Sequence, residues 1–281
     1  MEIIRKDEKK DPLLKCQNDV SFFQFKKMQE KKWLLHAFST RLGGVSSDCF
    51  STMNLGFGRG DSYENVIKNY ERFGDAVGFD WKKAVVSHQT HTTNIRLVTA
   101  QDAGKGILKD RDYEDIDGMI TKESGIALIT FYADCVPLYF ADTKHKAIGL
   151  SHSGWRGTVG RMGEKTLKAM REAFNTDPAE VVAAIGPSIC GDCFEVGPEV
   201  KEEFAREFTK EQMKKICHPG IGEKSYIDLW QANFEVLKEA GIAQENISVT
   251  NVCTRCNPKL LYSHRIMGAK RGNLAAVMMI R

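Results

Sequence analysis

Short apolar runs alternate along the chain with amphipathic stretches, and the period of each run predicts its structure. Residues 20–25 (VSFFQF) and 33–38 (WLLHAF) read as strands. In 63–78 (YENVIKNYERFGDAVG) apolar residues recur every three to four positions as far as Gly78, which predicts an amphipathic helix with a glycine stop. The runs 84–88 (AVVSH) and 94–99 (NIRLVT) read as a pair of strands flanking HQTHTT. Residues 125–132 (GIALITFY) and 146–151 (KAIGLS) are continuous apolar runs of the kind buried on both faces, with ADTKH as a polar turn between them. After residue 158 the period lengthens. Val159, Met162, Thr166, Leu167, Met170 and Phe174 mark one helix, ended by Asp177-Pro178 and followed by a strand at 181–185. Further helices are expected at about 198–208 and 229–240, with strands at 247–252 and 274–280.

This pattern predicts an α/β (mixed α+β) protein over 1–281, a single layered domain whose helices cover mixed sheets, with residues 1–19 set apart as an N-terminal extension. Composition leaves that picture intact: 42% hydrophobic and 27% charged residues are ordinary globular values. Lys plus Arg number 40 against 37 Asp plus Glu, a net charge of +3, which supplies no electrostatic case for nucleic acid or an anionic membrane. The charged start MEIIRKDEKKDPLLK has no apolar core of a signal peptide. No run approaches the roughly 18 apolar residues of a membrane span. The expectation is a cytoplasmic monomer or small homo-oligomer without nucleic-acid or membrane partners. Eight cysteines in a long chain without an export signal are expected to be reduced thiols.

Candidate chemistry gathers in a few segments. SHQTH carries His88 and His91, FYADCVPL carries Cys135, and LSHSGWRGT carries His152. Cys135 and His152 are each read at a strand end, and their 17-residue separation suits two adjacent strands joined by a turn. Two imidazoles and a thiolate suit zinc with an open fourth position, yet the same residues suit packed cysteine and hydrogen-bonded histidine. In SHSGWRGTVG, two glycines, Arg156 and Thr158 as a helix N-cap would build an anion-binding turn or an ordinary capped one. The segment 38–61, with Arg41, Gly43-Gly44, Asn54 and Gly56, reads as a substrate-gripping loop or a long turn-rich connection. Asp115 and Asp117 read as turn residues. The pairs Cys190/Cys193 and Cys253/Cys256 lie far apart in sequence, so a shared structural zinc would need the fold to unite them; separate thiols in turns are expected.

Together HAFSTRLGGVS, MNLGF, HQTHTTNI, DIDGMIT, ADCVPL, HSGWRGT, IGPSICGDCFEVG and CTRC…LYSHR resemble the YfiH/laccase-domain family, from about residue 36 to the C-terminus. The resemblance implies a zinc site of His91, Cys135 and His152, with His88 outside it. It also implies phosphorolysis of adenosine, inosine, guanosine and methylthioadenosine with inorganic phosphate, and deamination of adenosine as a further activity. On that reading Arg41, Asn54 and Arg156 are the substrate- and phosphate-binding candidates. The alternatives are a copper (Cu2+) phenol oxidase, a metal-free Cys135/His152 hydrolase, and a non-enzymatic redox or zinc-binding partner protein. The zinc-deaminase signature H-x-E with P-C-x-x-C is absent. After YSHR the chain runs RGNLAAVM where the family commonly carries a T-G-R stretch, so Arg271 receives no role.

Overall fold

In a computed structural model, which describes residues 2–9 and 11–281, the strands are, in chain order, β1 (Leu13–Gln17), β2 (Val20–Gln24), β3 (Leu34–Ser39), β4 (Val85–Val86), β5 (Ile95–Leu97), β6 (Gly118–Thr121), β7 (Leu128–Tyr132), β8 (Val136–Asp142), β9 (Ala147–Ser153), β10 (Val181–Ile185), β11 (Glu195–Val196), β12 (Cys217–Pro219), β13 (Ser225–Ile227), β14 (Ile247–Val249) and β15 (Leu274–Ile280). The helices are α1 (Lys26–Gln29), α2 (Tyr63–Val77), α3 (Trp155–Val159), α4 (Met162–Phe174), α5 (Pro198–Glu207), α6 (Lys210–Ile216), α7 (Leu229–Glu239) and α8 (His264–Met267). One sheet has the order β1-β2-β3-β15-β7-β4 and a second β14-β10-β8-β9-β6-β5, with a small β11-β13-β12 sheet beside them. Both large sheets are mixed. Their inner strands pair antiparallel, while β4, β5 and β14 join as parallel edge strands.

Period-two side chains stack these sheets into layers. On β15, Leu274, Ala276, Met278 and Ile280 enter the core between the two sheets, whereas Ala275, Val277 and Met279 face α2. On β8, Tyr139 and Ala141 fill that same inter-sheet core, and Val136, Leu138 and Phe140 pack against the helices of the other flank. Both faces of these strands are therefore covered, which is why their sequences run continuously apolar. Each fully buried large side chain contributes about 1.5–3 kcal/mol. Helix α2 presents Val66, Tyr70, Phe73 and Val77 to the first sheet. The Ser62 side chain caps its N-terminus and Gly78, at φ +95°, ends it, as the glycine stop predicts.

The structure departs from the sequence pattern at several points. Runs 84–88 and 94–99 do not pair: β4 edges the first sheet and β5 the second. Cys135 does not close a strand; it precedes β8, and the turn expected to separate two strands sits at the end of a β8–β9 hairpin. The helix expected from residue 159 is broken into α3 and α4 by Arg161 in the left-handed region, at φ +57°. Thr158 is not an N-cap. It lies inside α3, which starts behind Gly154, and its hydroxyl donates to the Gly154 carbonyl at 3.0 Å. Helix α6 went unread although Thr209 and Gln212 form a capping box at its start. Residues 13–17, set apart as extension, form the edge strand β1. Among the described residues no helix is long and apolar enough to cross a membrane.

Candidate metal centre and cavity

Two segments cross from the first sheet to the second at the same end of the molecule. One is residues 87–94 between β4 and β5; the other is residues 133–135 between β7 and β8. Strand β9 ends beside the second crossing, because β8 and β9 are antiparallel with Pro137 opposite His152. The three places deliver His91, Cys135 and His152, whose ligand atoms all lie within 4.8 Å of one another. His91 Nε2 lies 3.9 Å from Cys135 Sγ, and the two imidazoles meet edge to face with centroids 5.0 Å apart. His91 is exposed, Cys135 half-buried and His152 buried. Gly154 leaves the room: a Cβ there would stand 3.0 Å from Cys135 Sγ and 3.1 Å from His91 Cδ2.

Asp117, read from sequence as a turn residue, organises this cluster. Its fully buried carboxylate accepts His152 Nδ1–H at 2.7 Å. It also accepts the backbone N–H groups of Thr90, His91 and Thr92 at 3.0, 3.2 and 3.0 Å, and the Thr92 hydroxyl at 3.1 Å. One carboxylate thus turns the 90–92 backbone inward and holds His91 at φ +67°, a conformation uncommon outside glycine. It also leaves His152 Nε2 free to face Cys135. Burial would raise the Asp117 carboxyl, but the His152 contact and the Thr90 and Thr92 N–H groups hold it below the usual carboxylate range. Burial would likewise push the Cys135 thiol up; the His152 charge and hydrogen bonds with His152 and His91 outweigh it and bring it down to about 6. Burial depresses His152, yet the Cys135 thiolate and Asp117 together raise it to about 9. A thiolate and an imidazolium can therefore coexist here, as can a metal with two nitrogens and one sulfur. Asp115, by contrast, is a turn residue, at φ +52°, accepting the Thr90 hydroxyl at 2.7 Å.

The three side chains open into a cavity of about 1000 Å³. His88 lines it too, outside the ligand cluster, with Nδ1 accepting the Asp115 N–H at 3.3 Å. The arginines in its wall are Arg59, Arg111, Arg265 and Arg271. The Nε atoms of Arg59 and Arg271 are buried without a protein partner. Burial and the neighbouring Arg59 charge lower Arg271 to about 10, so two guanidinium groups crowd one polar recess. Neither was singled out in the sequence for anion binding, because residues 59 and 271 meet only in the fold. The sequence candidates lie elsewhere. Arg41 donates to the carbonyls of Ser51 and Pro258 at 2.7 and 2.8 Å and stacks on Tyr262. Asn54 is buried, its Oδ1 accepting the N–H groups of Gly56 and Asn273 at 3.0 and 2.9 Å. Arg156 stacks on Trp155 at 4.2 Å. None of the three lines the cavity.

The chain has relatives among known proteins. The chain is 34% identical over 255 residues to the purine nucleoside phosphorylase YlmD of Bacillus subtilis (strain 168), covering 88% of each chain. It is 34% identical over 241 residues to the adenosine deaminase RL5 of an unknown prokaryotic organism, covering 85% of this chain and 91% of that one. The crystal structure of the hypothetical protein YfiH of Bacillus licheniformis superposes with a TM-score of 0.89 at 27% identity, over 96% of this chain and 100% of that one. The sequence pattern of the family described as multi-copper polyphenol oxidoreductase laccase matches residues 35–281. With nearly the whole chain matched and its layered sheets shared, this protein belongs to that laccase-like YfiH family.

Proposed function

We propose that this chain is a zinc-dependent purine nucleoside phosphorylase acting on adenosine, inosine, guanosine and methylthioadenosine, with adenosine deamination as a second activity. The observation that carries the reading is the meeting of His91, Cys135 and His152 in the wall of a cavity that also holds partnerless arginine nitrogens. Relatives named for both activities, each about one-third identical over most of the chain, support it. Two imidazole nitrogens and a thiolate suit zinc, and Asp117 sets the His152 tautomer that such a site needs. Zinc held there would supply Lewis-acid polarisation of a purine ring or of water.

The chain's own residues account for the rest. Phosphorolysis requires phosphate held beneath the anomeric carbon while negative charge develops on the departing base. Arg59 and Arg271 take the phosphate role in place of Arg41 and Arg156, because they line the cavity and each keeps a guanidinium nitrogen without a protein partner. Phe57, Phe131 and Phe194 give the purine apolar faces to stack on. Copper chemistry of the multicopper kind needs several imidazoles, and among the described residues only His91 and His152 of the seven histidines share a candidate metal cluster. Zinc is therefore the favoured ion.

Incubating protein of known metal content with inosine or adenosine, with and without phosphate, tests this. Inosine should give hypoxanthine and ribose 1-phosphate only when phosphate is present, and adenosine should give inosine without it. Cys135→Ala should lose turnover together with the metal held at this cluster. Nucleoside inertness of zinc-loaded protein, with phenol oxidation after copper loading, would overturn the reading. Turnover that survives metal removal would move the chemistry to Cys135 and His152 alone.

A further inference from the structure

The two Cys-x-x-C pairs, expected to be separate thiols, meet in space. Cys190, Cys193, Cys253 and Cys256 place their sulfurs all within 4.8 Å of one another, and Cys193 Sγ lies 3.6 Å from Cys256 Sγ. None of the four lines the cavity of the His91/Cys135/His152 cluster. We propose that these four cysteines form a second, structural zinc site. The spacing argues for an ion between the sulfurs. A disulfide would bring a pair to about 2.05 Å, whereas a tetrahedron with zinc–sulfur bonds of about 2.3 Å has sulfur–sulfur edges of about 3.8 Å. An iron–sulfur cluster, with several atoms at its centre, would hold the thiolates further apart.

Backbone and side-chain donors reach the sulfurs of this cluster. The 3₁₀ turn at Gly191–Cys193 places the first pair side by side, with Cys193 N–H donating to the Cys190 carbonyl at 3.0 Å. The Cys190 N–H donates to Cys253 Sγ at 3.3 Å, and Arg255 Nη1 to Cys193 Sγ at 3.4 Å. Lys6 pairs with Asp192, between the first two cysteines, at 2.9 Å. Donors and cations aimed at sulfur stabilise its negative charge, of which four thiolates around a divalent ion leave an excess. Three of the four cysteines are buried, where unligated thiols would find few partners.

The site would clamp two loops that back the cavity. Thr254 N–H donates to the Ser188 carbonyl at 3.0 Å, and the Thr254 hydroxyl to Asp134 Oδ1 at 2.6 Å. The Asp134 carbonyl accepts Ile189 N–H at 3.0 Å. Asp134 directly precedes Cys135, and Ile189 and Phe194 stand in the cavity wall. A zinc tying residues 190–193 to 253–256 would hold the Cys135 turn and that wall in register, and would restrict the unfolded chain as a cross-link does.

Metal analysis of protein purified under reducing conditions in the presence of zinc tests the proposal. Wild type should carry two zinc ions per chain. Cys135→Ser should retain one, whose X-ray absorption spectrum shows four sulfurs at about 2.3 Å and no nitrogen. Cys256→Ser, altering the half-buried member of the set, should lose that sulfur-only zinc and unfold at a lower temperature. One zinc in wild type and none in Cys135→Ser would overturn the proposal, as would two disulfides found by mass after non-reducing alkylation. One all-sulfur zinc in both proteins would sustain it while sinking the zinc reading of the His91 cluster. If Cys256→Ser fails to fold, the wild-type and Cys135→Ser measurements still decide.

Discussion

Asp117 shows how one side chain decides what its neighbours can do. Five donors converge on its two oxygens, from His152, the backbone of residues 90–92 and the Thr92 hydroxyl. Asparagine there keeps the shape but turns an N–H₂ group against N–H or O–H donors, so at least one buried donor loses its acceptor. Asp117→Asn should therefore lower zinc affinity about 10–100-fold and cost about 1–3 kcal/mol of stability. His88→Ala should leave metal content unchanged, because His88 stands outside the ligand cluster. Chelator competition on the two variants checks this; equal metal loss in both would remove the special place given to Asp117. Sequence could not separate Asp117 from Asp115, since both sit in one polar turn signal. Only burial and the direction of the carboxylate distinguish an organiser from a turn residue.

At the scale of the element, β3 carries a histidine into an apolar layer. His36 shares the face of Leu34 and Phe38, is buried between Phe25 and Tyr139, and its Nε2 accepts the Phe25 N–H at 2.8 Å. An acceptor nitrogen is unprotonated, and burial lowers His36 from 6.5 to about 3. The unfolded chain therefore binds the extra proton between these values. This contribution is complete above about pH 6.5 and is lost as pH falls toward 3, at about 1.4 kcal/mol per pH unit. His36→Gln, which keeps an acceptor but cannot titrate, should flatten the fall in denaturant stability between pH 6 and pH 4 by about that slope. An unchanged slope would mean the fold takes up a proton at His36 without cost. Other elements were legible to different degrees. Helix α2 and strand β15 follow their patterns to within a residue. Strand β8 is as apolar as its neighbours, but Pro137 near its start is a residue that argues against a central strand.

For the whole molecule, the fold brings together what the chain keeps apart. Arg59 and Arg271 are 212 positions apart yet share a cavity wall, each with a buried nitrogen lacking a protein partner. Replacing either by alanine should raise the KM for phosphate roughly tenfold or more, since a bond to a charged group is worth about 1.5–3 kcal/mol. The KM for inosine should move far less. Arg41→Ala and Arg156→Ala should leave the phosphate dependence of turnover as it is, and steady-state kinetics on the four variants discriminates between the two sets. The sequence by itself determined the layered α/β class, because the period of apolar positions is a local property of each element. It also marked His91, Cys135 and His152, whose short motifs lie within single turns or strand ends. What it could not determine was which sheet each strand joins. Strands β4 and β5 read as partners, but edge different sheets, and that choice makes residues 87–94 a crossing that carries His91 toward Cys135. The cavity's arginines, the role of Asp117 and the meeting of four cysteines likewise depend on contacts between distant segments. Such contacts are set by packing of the finished core and leave no period or spacing in the chain.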